Sequence, residues 1–288
     1  MLNQAAKLRQ MIAAKQMVVA PGAYDCLTAK LIEHAAFPAV YMTGGGTAAA
    51  LLGYPDYGLP TMSEMADNAG RIATAVKVPV IADADTGFGN ELNVVRTVRS
   101  YEQHGVAALH IEDQVFPKRC GHFEGKEVVA IDEFIAKIRA AVAARQNPDT
   151  IIIARTDALA VEGFDSAVAR MSAALAAGAD VAFLEAVQTV EQMAQVPKLL
   201  KGPCMLNIPP VGGKTPRVTL DQAAAMGYKI TILPGLLSRH VMASCEMVLK
   251  ELAQTREYPK SAMEPPSMQA FAQRMGSDEW DQYRTQFR

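Results

Sequence analysis

No run of apolar residues in this chain approaches the length needed to span a membrane. No uninterrupted apolar block of signal-peptide type stands at the N-terminus. Leu2, Leu8, Met11 and Ile12 are spaced instead as one face of a short amphipathic helix. That segment is basic and free of acids, as transit peptides are, but a strand follows at once, so a helix of the fold is expected. Excess positive charge is also missing. With 28 Lys and Arg against 30 Asp and Glu, nothing calls for nucleic acid. Cysteine pairing is missing too: Cys26, Cys120, Cys204 and Cys245 lie far apart with no CxxC. That argues against a disulfide framework and a zinc site, and it fits a reducing cytoplasm. Cys26, Cys204 and Cys245 fall in apolar or helical stretches and are expected to be packing residues. Finally, no GxGxxG follows the first strand, and Gly44-Gly45-Gly46 after the second lacks that spacing, so dinucleotide binding has weak support.

What is present is alternation. Half of the 288 residues are hydrophobic, ample for one large core. Short runs rich in Val and Ile mark eight strands: Met17–Ala20, Ala39–Met42, Val78–Ala82, Ala107–Glu112, Ile151–Arg155, Val181–Glu185, Cys204–Asn207 and Lys229–Leu233. Helical patterns separate them: Tyr24–Glu33, Met62–Ala75, Glu91–His104, Ile131–Ala144, Phe164–Ala177, Val190–Leu200 and Leu220–Met226. Gly105 and Gly178 close two of these helices. This order predicts a parallel sheet, and its natural closed form is a (β/α)8 TIM-type barrel over residues 1–255. An open doubly wound sheet is the alternative. Ser238–Thr255 reads as a helix after the last strand. Residues 256–288, with Pro259, Pro265 and Pro266 and then a polar helical tail, lie outside the barrel pattern. They are expected to cap the barrel or to pack on a neighbouring subunit.

Polar residues gather at the C-terminal ends of the strands, where barrel active sites are built. Strand three ends in Asp83-Ala84-Asp85, strand four in Glu112-Asp113, strand five in Arg155-Thr156-Asp157, strand six in Glu185 and strand seven in Asn207. Asp56 lies in the loop after strand two. Carboxylates converging at one mouth repel unless a cation joins them, and oxygen ligands without a Cys/His set suit Mg²⁺ or Mn²⁺. Taken singly, each acid reads as a cap or a solvated loop acid. That reading holds best for Asp113 and Asp157 and least for Asp83, Asp85 and Glu112 together. Arg155 suits a bidentate grip on a substrate carboxylate, or equally a salt bridge to Glu185 or Asp157. The glycines after Thr43 allow close anion approach or simply a tight turn. Tyr41 points into the mouth or packs in the core. His110, inside strand four, reads as an interior histidine.

The stretch Lys118-Arg119-Cys120-Gly121-His122 follows strand four. Positive neighbours favour thiolate, so a cysteine here is expected to exchange protons near neutral pH. Gly121 leaves the backbone free to bend. The alternative is a small structural cysteine in a basic surface loop.

Together, Tyr41-Met42-Thr43-Gly44-Gly45, Gly53-Tyr54-Pro55-Asp56, Ala82 to Gly89, Ile111-Glu112-Asp113-Gln114, Lys118 to His122 and Ala154 to Ala158 resemble the isocitrate lyase/phosphoenolpyruvate mutase superfamily. The short length is similar to its 2-methylisocitrate lyase and 2,3-dimethylmalate lyase branch. The resemblance implies a barrel whose last helix is swapped between subunits of a homotetramer. It implies Mg²⁺ (or Mn²⁺) held by Asp85, with Asp83, Asp56 and Glu112 acting mainly through water. It implies that Thr43, Gly44 and Gly45 bind the α-keto acid portion and that Cys120, on a mobile loop, donates a proton.

The implied catalytic set is Cys120, Lys118, His122, Arg155 and Tyr41, with Gly121, Arg155, Glu185 and Asn207 against the substrate. The implied reaction is Mg²⁺-dependent cleavage of a 2-hydroxy di- or tricarboxylate to pyruvate and a second carboxylic acid. Tyr41 and Glu185 are candidates for the base. An oxaloacetate decarboxylase or hydrolase, or a phosphonate mutase, is the alternative on the same scaffold. One departure stands out: prolines Pro209 and Pro210 occupy a turn that is acidic in methylisocitrate lyases, and Gly212 to Pro216 looks closer to the dimethylmalate type.

Overall fold

Local signals set where each helix starts. Asp25, Thr61, Asn90 and Thr219 each form a reciprocal capping box with the residue three positions on, fixing the first turns of four helices. Gly105 and Gly178 end their helices as expected, with φ of 77° and 105°, a region that favours glycine.

The computed structural model describes residues 3–260 and 264–288. In chain order the elements are α1 (Gln4–Ala13), β1 (Val18–Ala23), α2 (Cys26–His34), β2 (Val40–Met42), α3 (Gly44–Leu52), α4 (Met62–Ala75), β3 (Val80–Asp83), α5 (Glu91–Gln103) and β4 (Ala108–Glu112). They continue with α6 (Ile131–Ala144), β5 (Ile151–Thr156), α7 (Leu159–Glu162), α8 (Phe164–Ala176), β6 (Val181–Leu184), α9 (Val190–Leu199), β7 (Cys204–Asn207), α10 (Leu220–Met226) and β8 (Ile230–Leu233). Three helices end the chain: α11 (Leu236–Thr255), α12 (Met268–Arg274) and α13 (Ser277–Gln286). The eight strands are parallel and close in sequential order, β8 returning to β1. The fold is therefore a (β/α)8 barrel, and the open-sheet alternative is excluded.

Two strand bounds shift for identifiable reasons. β1 runs on through Pro21-Gly22 because β8 approaches it closely; a Cβ on Gly22 would collide with the Pro234 backbone. β3 begins at Val80, after Pro79, which has no N–H for the ladder. α3 was not anticipated. Its first turn is the glycine triplet, read as loop, and Thr43 caps it by accepting from the Gly46 amide.

The barrel interior holds Tyr41, Ile81, Ile153, Phe183, Met205, Ile230 and Ile232, and α1 plugs its N-terminal end with Leu8 and Ile12. Leu8 is wholly buried, and covering a side chain of that size stabilises by about 1.5–3 kcal/mol. Leu2, expected on the same face, lies outside the described residues. Asp180 fastens the plug by accepting from Arg9 at 2.9 Å and from Arg145 at 2.7 Å. With one end sealed, the opposite mouth is left for chemistry.

α11, α12 and α13 bury no side chain. Cys245 on α11 is exposed rather than packed, which corrects the expectation for it; Cys204 is buried and Cys26 half-buried. α12 returns to the barrel, where the Arg274 carbonyl lies 2.8 Å from the His34 ring nitrogen. Among the described residues no helix is long and apolar enough to cross a membrane.

Candidate active site

β3 delivers Asp83 into the barrel mouth beside its registered neighbour His110 on β4. Asp83 accepts from the Gly44 amide at 3.1 Å and, through its other oxygen, from the Asp85 amide at 3.0 Å. A Cβ on Gly44 would come within 2.5 Å of Asp83 Oδ2, so this close approach needs glycine. The Tyr41 hydroxyl lies 2.8 Å from His110 Nε2 and 3.4 Å from Asp83 Oδ2. Burial pushes His110 down to about 4, so it is neutral at pH 7. Burial opposes the Asp83 charge, but the cations around it outweigh burial and hold its carboxyl below the usual range. With His110 neutral, Lys118 and Arg155 are the cations that do this. Burial also raises the Tyr41 phenol, which stays protonated.

Past the strand, Asp85 sits at φ 45°, a region uncommon for a non-glycine residue. Its carboxyl is pushed up to about 6, by burial first and then by Asp83 and Asp56, with Lys118 opposing. Lys118 reaches in from the loop after β4. Its Nζ donates to Asp56 Oδ1 at 2.5 Å and lies 2.8 Å from Asp85 Oδ1. Lys118 is thus buried and paired rather than a surface charge, and its pull on the thiol beside it is outweighed. This changes the reading of Cys120. Burial, then Asp56, pushes the thiol up to about 11, so it is held as SH rather than as the expected thiolate.

Glu112 and Arg155 are registered neighbours on β4 and β5, 3.1 Å apart. Arg155 Nε also donates to Asp157 at 3.0 Å, and Arg155 Nη2 lies 3.7 Å from Glu185. The guanidinium stacks over Phe183, 5.4 Å from the ring centre. Asn207 donates to Glu185 at 3.1 Å. His122 Nδ1 accepts from the Lys214 amide at 3.2 Å, which leaves the proton on Nε2, 3.7 Å from Glu185. Burial lowers the His122 ring below its usual range.

These groups surround a cavity of about 400 Å³. Tyr41, Thr43, Gly45, Asp56, Asp83, Cys120, Gly121, His122, Arg155, Glu185 and Asn207 line it. Gly44, Asp85, Glu112 and Lys118 stand behind that lining. The far wall is more apolar than the acid side: Pro209, Pro210, Ile232, Pro234 and, from α11, Met242. Among the described residues no three His, Cys, Asp or Glu side chains gather closely enough to hold a metal ion by themselves. The expected acid cluster is instead divided by cations, Lys118 between Asp56 and Asp85, and Arg155 against Glu112. Even so, Asp85 Oδ1 and both Glu112 oxygens are buried without a hydrogen bond among the described residues. Lys118 Nζ lies 2.8 Å from Asp85 Oδ1 and Arg155 Nε 3.1 Å from Glu112 Oε2, so a cation already faces two of these oxygens. Such hard, under-satisfied oxygens suit a divalent cation that keeps several waters.

Asp113 and Asp157 correct the sequence reading, being fully buried rather than caps or solvated loop acids. Asp113 accepts from the Thr156 hydroxyl at 2.6 Å, the Asp157 amide at 2.9 Å and Arg170 at 3.3 Å. Lys126, Arg170 and the α11 residues at the cavity were missed altogether. Lys126 reaches Asp157, Arg170 reaches Asp113 and Arg239 reaches Val211, each 28 or more residues away in the chain, so no local pattern marks these contacts.

The phosphoenolpyruvate phosphomutase family model matches residues 8–253. The chain belongs to the isocitrate lyase/phosphoenolpyruvate mutase superfamily. It is 51% identical over 233 residues to 2,3-dimethylmalate lyase of Eubacterium barkeri, covering 81% of this chain and 80% of the relative. To 2-methylisocitrate lyase of Aeropyrum pernix it is 45% identical over 245 residues, covering 85% and 78%. Among solved structures, oxaloacetate acetylhydrolase in complex with 3,3-difluorooxalacetate superposes with a TM-score of 0.93 at 36% identity, covering 98% and 96%. Superfamily membership gives the strand-end acids and the Cys120 loop of this barrel a common setting at one mouth.

Proposed function

We propose that this enzyme is a divalent-metal-dependent carbon–carbon lyase. Its substrate is a 2-hydroxy di- or tricarboxylate of the 2,3-dimethylmalate or 2-methylisocitrate type, and its products are pyruvate and a second carboxylic acid. The observation that carries the reading is the placement of Cys120 in the cavity wall, on a loop that packs directly on Arg155.

Asp85, with Asp56, Asp83 and Glu112 through water, would hold Mg²⁺ or Mn²⁺. When bound, the cation supplies Lewis-acid charge at the hydroxyl and carboxylate oxygens of the substrate. Thr43 and Gly45, at the N-terminus of α3, receive the carboxylate of the pyruvate half, where the helix dipole favours an anion. Arg155, with His122 and Asn207, orients the second carboxylate. A base removes the hydroxyl proton. Glu185, which lines the cavity between Arg155 and Asn207, suits this better than Tyr41, whose buried phenol keeps its proton. The bond between the second and third carbons then breaks. Its electron pair goes to the third carbon as a carboxylate-stabilised carbanion, and the second carbon becomes the keto carbon of pyruvate. Cys120 Sγ gives its proton to the carbanion. The closed loop keeps water from competing. Gly44, whose amide is engaged by Asp83, acts by placing that acid.

The dimethylmalate type is favoured by Pro209 and Pro210, which put no carboxylate in the wall facing the departing acid. The likeness to oxaloacetate acetylhydrolase supports a second reading, hydrolysis of oxaloacetate on the same site. It would need water admitted where the lyase excludes it.

α11 leaves Val241, Met242, Met247, Leu249 and Leu252 exposed. A 20-residue helix with those side chains in water calls for a cover. This supports exchange of α11 between subunits of a homotetramer, with residues 256–288 packed on a neighbour. The four free cysteines suit a reducing cytoplasm. The reading is tested by pyruvate release in the presence of Mg²⁺, linked to lactate dehydrogenase, from 2,3-dimethylmalate and 2-methylisocitrate, with oxalate and pyruvate release from oxaloacetate followed in parallel.

A further inference from the structure

The loop carrying Cys120 is tied down at a point the chemistry above does not use. Lys126, six residues after Cys120, folds back so that its Nζ donates to the Gly121 carbonyl and to Asp157 Oδ1, the latter at 3.0 Å. Its side chain is 1% exposed. An ammonium so deeply buried is retained only where it is paired and hydrogen-bonded. Both partners are informative. Gly121 is the residue after Cys120. Asp157 directly follows β5, where its amide is fixed by Asp113 and its carboxylate also takes Arg155. One side chain therefore bridges the proton-donor segment to the strand that carries the substrate-facing arginine.

The approach is close. A Cβ on Gly121 would stand 2.6 Å from Glu185 Cγ and 2.7 Å from Arg155 Nη2, so the loop backbone lies directly on those side chains. Of the other charged ties of this loop, Lys118 ends on Asp56 and Asp85, the acids assigned to the cation, and Glu124 pairs with Lys214 at an exposed edge. The Lys126 tie ends on Asp157, which is not among those acids.

We propose that Lys126 is a positioning residue, a latch that holds the Cys120 segment closed over the cavity by bridging the Gly121 carbonyl to Asp157. The proposal rests on the reading of this loop as the lid of the lyase site. Its test needs no turnover and so fails separately from that reading.

The test is the rate of iodoacetamide alkylation at Cys120, followed by mass spectrometry of the Cys120 peptide at pH 8 without substrate. It compares wild type, Lys126→Met, Lys126→Arg and Asp157→Asn, each first shown to be folded by circular dichroism. An unlatched loop exposes the thiol and relieves the burial that keeps it protonated, so both effects raise the rate. Lys126→Met is expected to alkylate at Cys120 at least about tenfold faster than wild type, with Cys26 and Cys204 unchanged. Lys126→Arg, which keeps the charge, restores most of the protection. Asp157→Asn breaks the same contact from the strand side and serves if Lys126→Met does not fold. Wild-type alkylation at Cys120 in a folded Lys126→Met or Asp157→Asn protein would overturn the latch.

Discussion

Lys118 Nζ stands 2.8 Å from Asp85 Oδ1, so a residue of the lid reaches into the acids at the end of β3. In the proposed reading, lid and cation site form one electrostatic unit. Closing the lid brings a positive charge to the carboxylates that a metal would also neutralise.

Metal affinity should carry the mark of the Asp85 carboxyl. Its proton leaves only above about pH 6, chiefly because of burial, and a cation binds the ionised form. Below pH 6 each unit should weaken Mg²⁺ binding by about tenfold. Calorimetric titration of Mg²⁺ between pH 5 and 7.5 checks this, and Asp85→Asn should lose the binding. Affinity independent of pH would show that Asp85 does not carry the ion.

The pH profile of turnover should show no alkaline limb from Cys120 below pH 9. The donor is the thiol, pushed up to about 11, so the active form persists as pH rises and is lost only near that value. The Cys120→Ser protein should lose about 10²–10⁴-fold in kcat. A wild-type limb near pH 8 that vanishes in Cys120→Ser would contradict a buried, protonated donor.

Gly121→Ala should be inactive for a steric reason. The added methyl would meet Arg155 Nη2, Glu185 Cγ and Asp157 Oδ1, so the lid would have to lift. A displacement of that order lowers kcat/KM by about 10²-fold, with little change in melting temperature. Full activity in Gly121→Ala would mean the lid works from a different position.

A chain ending at Thr255 should form a smaller assembly than the full chain. The full chain is expected to run as a tetramer in size-exclusion chromatography with light scattering. An unchanged mass after removal of 256–288 would show that the tail does not contact a neighbour.

The barrel was legible because strand and helix alternate with different periods and every strand has an apolar run. The site was legible at Asp83, Glu112, Arg155, Glu185 and Asn207 because strand ends in a barrel converge. α3 was hidden by its opening glycines, poor helix formers, of which Gly44 is used here for close approach to Asp83 and Gly45 for approach to Asp56. The surroundings of Cys120 were not legible, because sequence shows the neighbours Lys118 and Arg119 but not the burial of the thiol or the pairing of Lys118 with Asp56 and Asp85. Asp113, Asp157, Lys126 and Arg170 form a buried network between segments distant in the chain, which spacing cannot show.

The central claim is carbon–carbon cleavage with Cys120 as the proton donor. It is tested most directly by the rate of pyruvate formation from 2,3-dimethylmalate with Mg²⁺, in wild type and Cys120→Ser, with oxaloacetate alongside. The account predicts Mg²⁺-dependent pyruvate from the hydroxy acid, abolished in Cys120→Ser. Turnover of oxaloacetate alone, undiminished in Cys120→Ser, would contradict it.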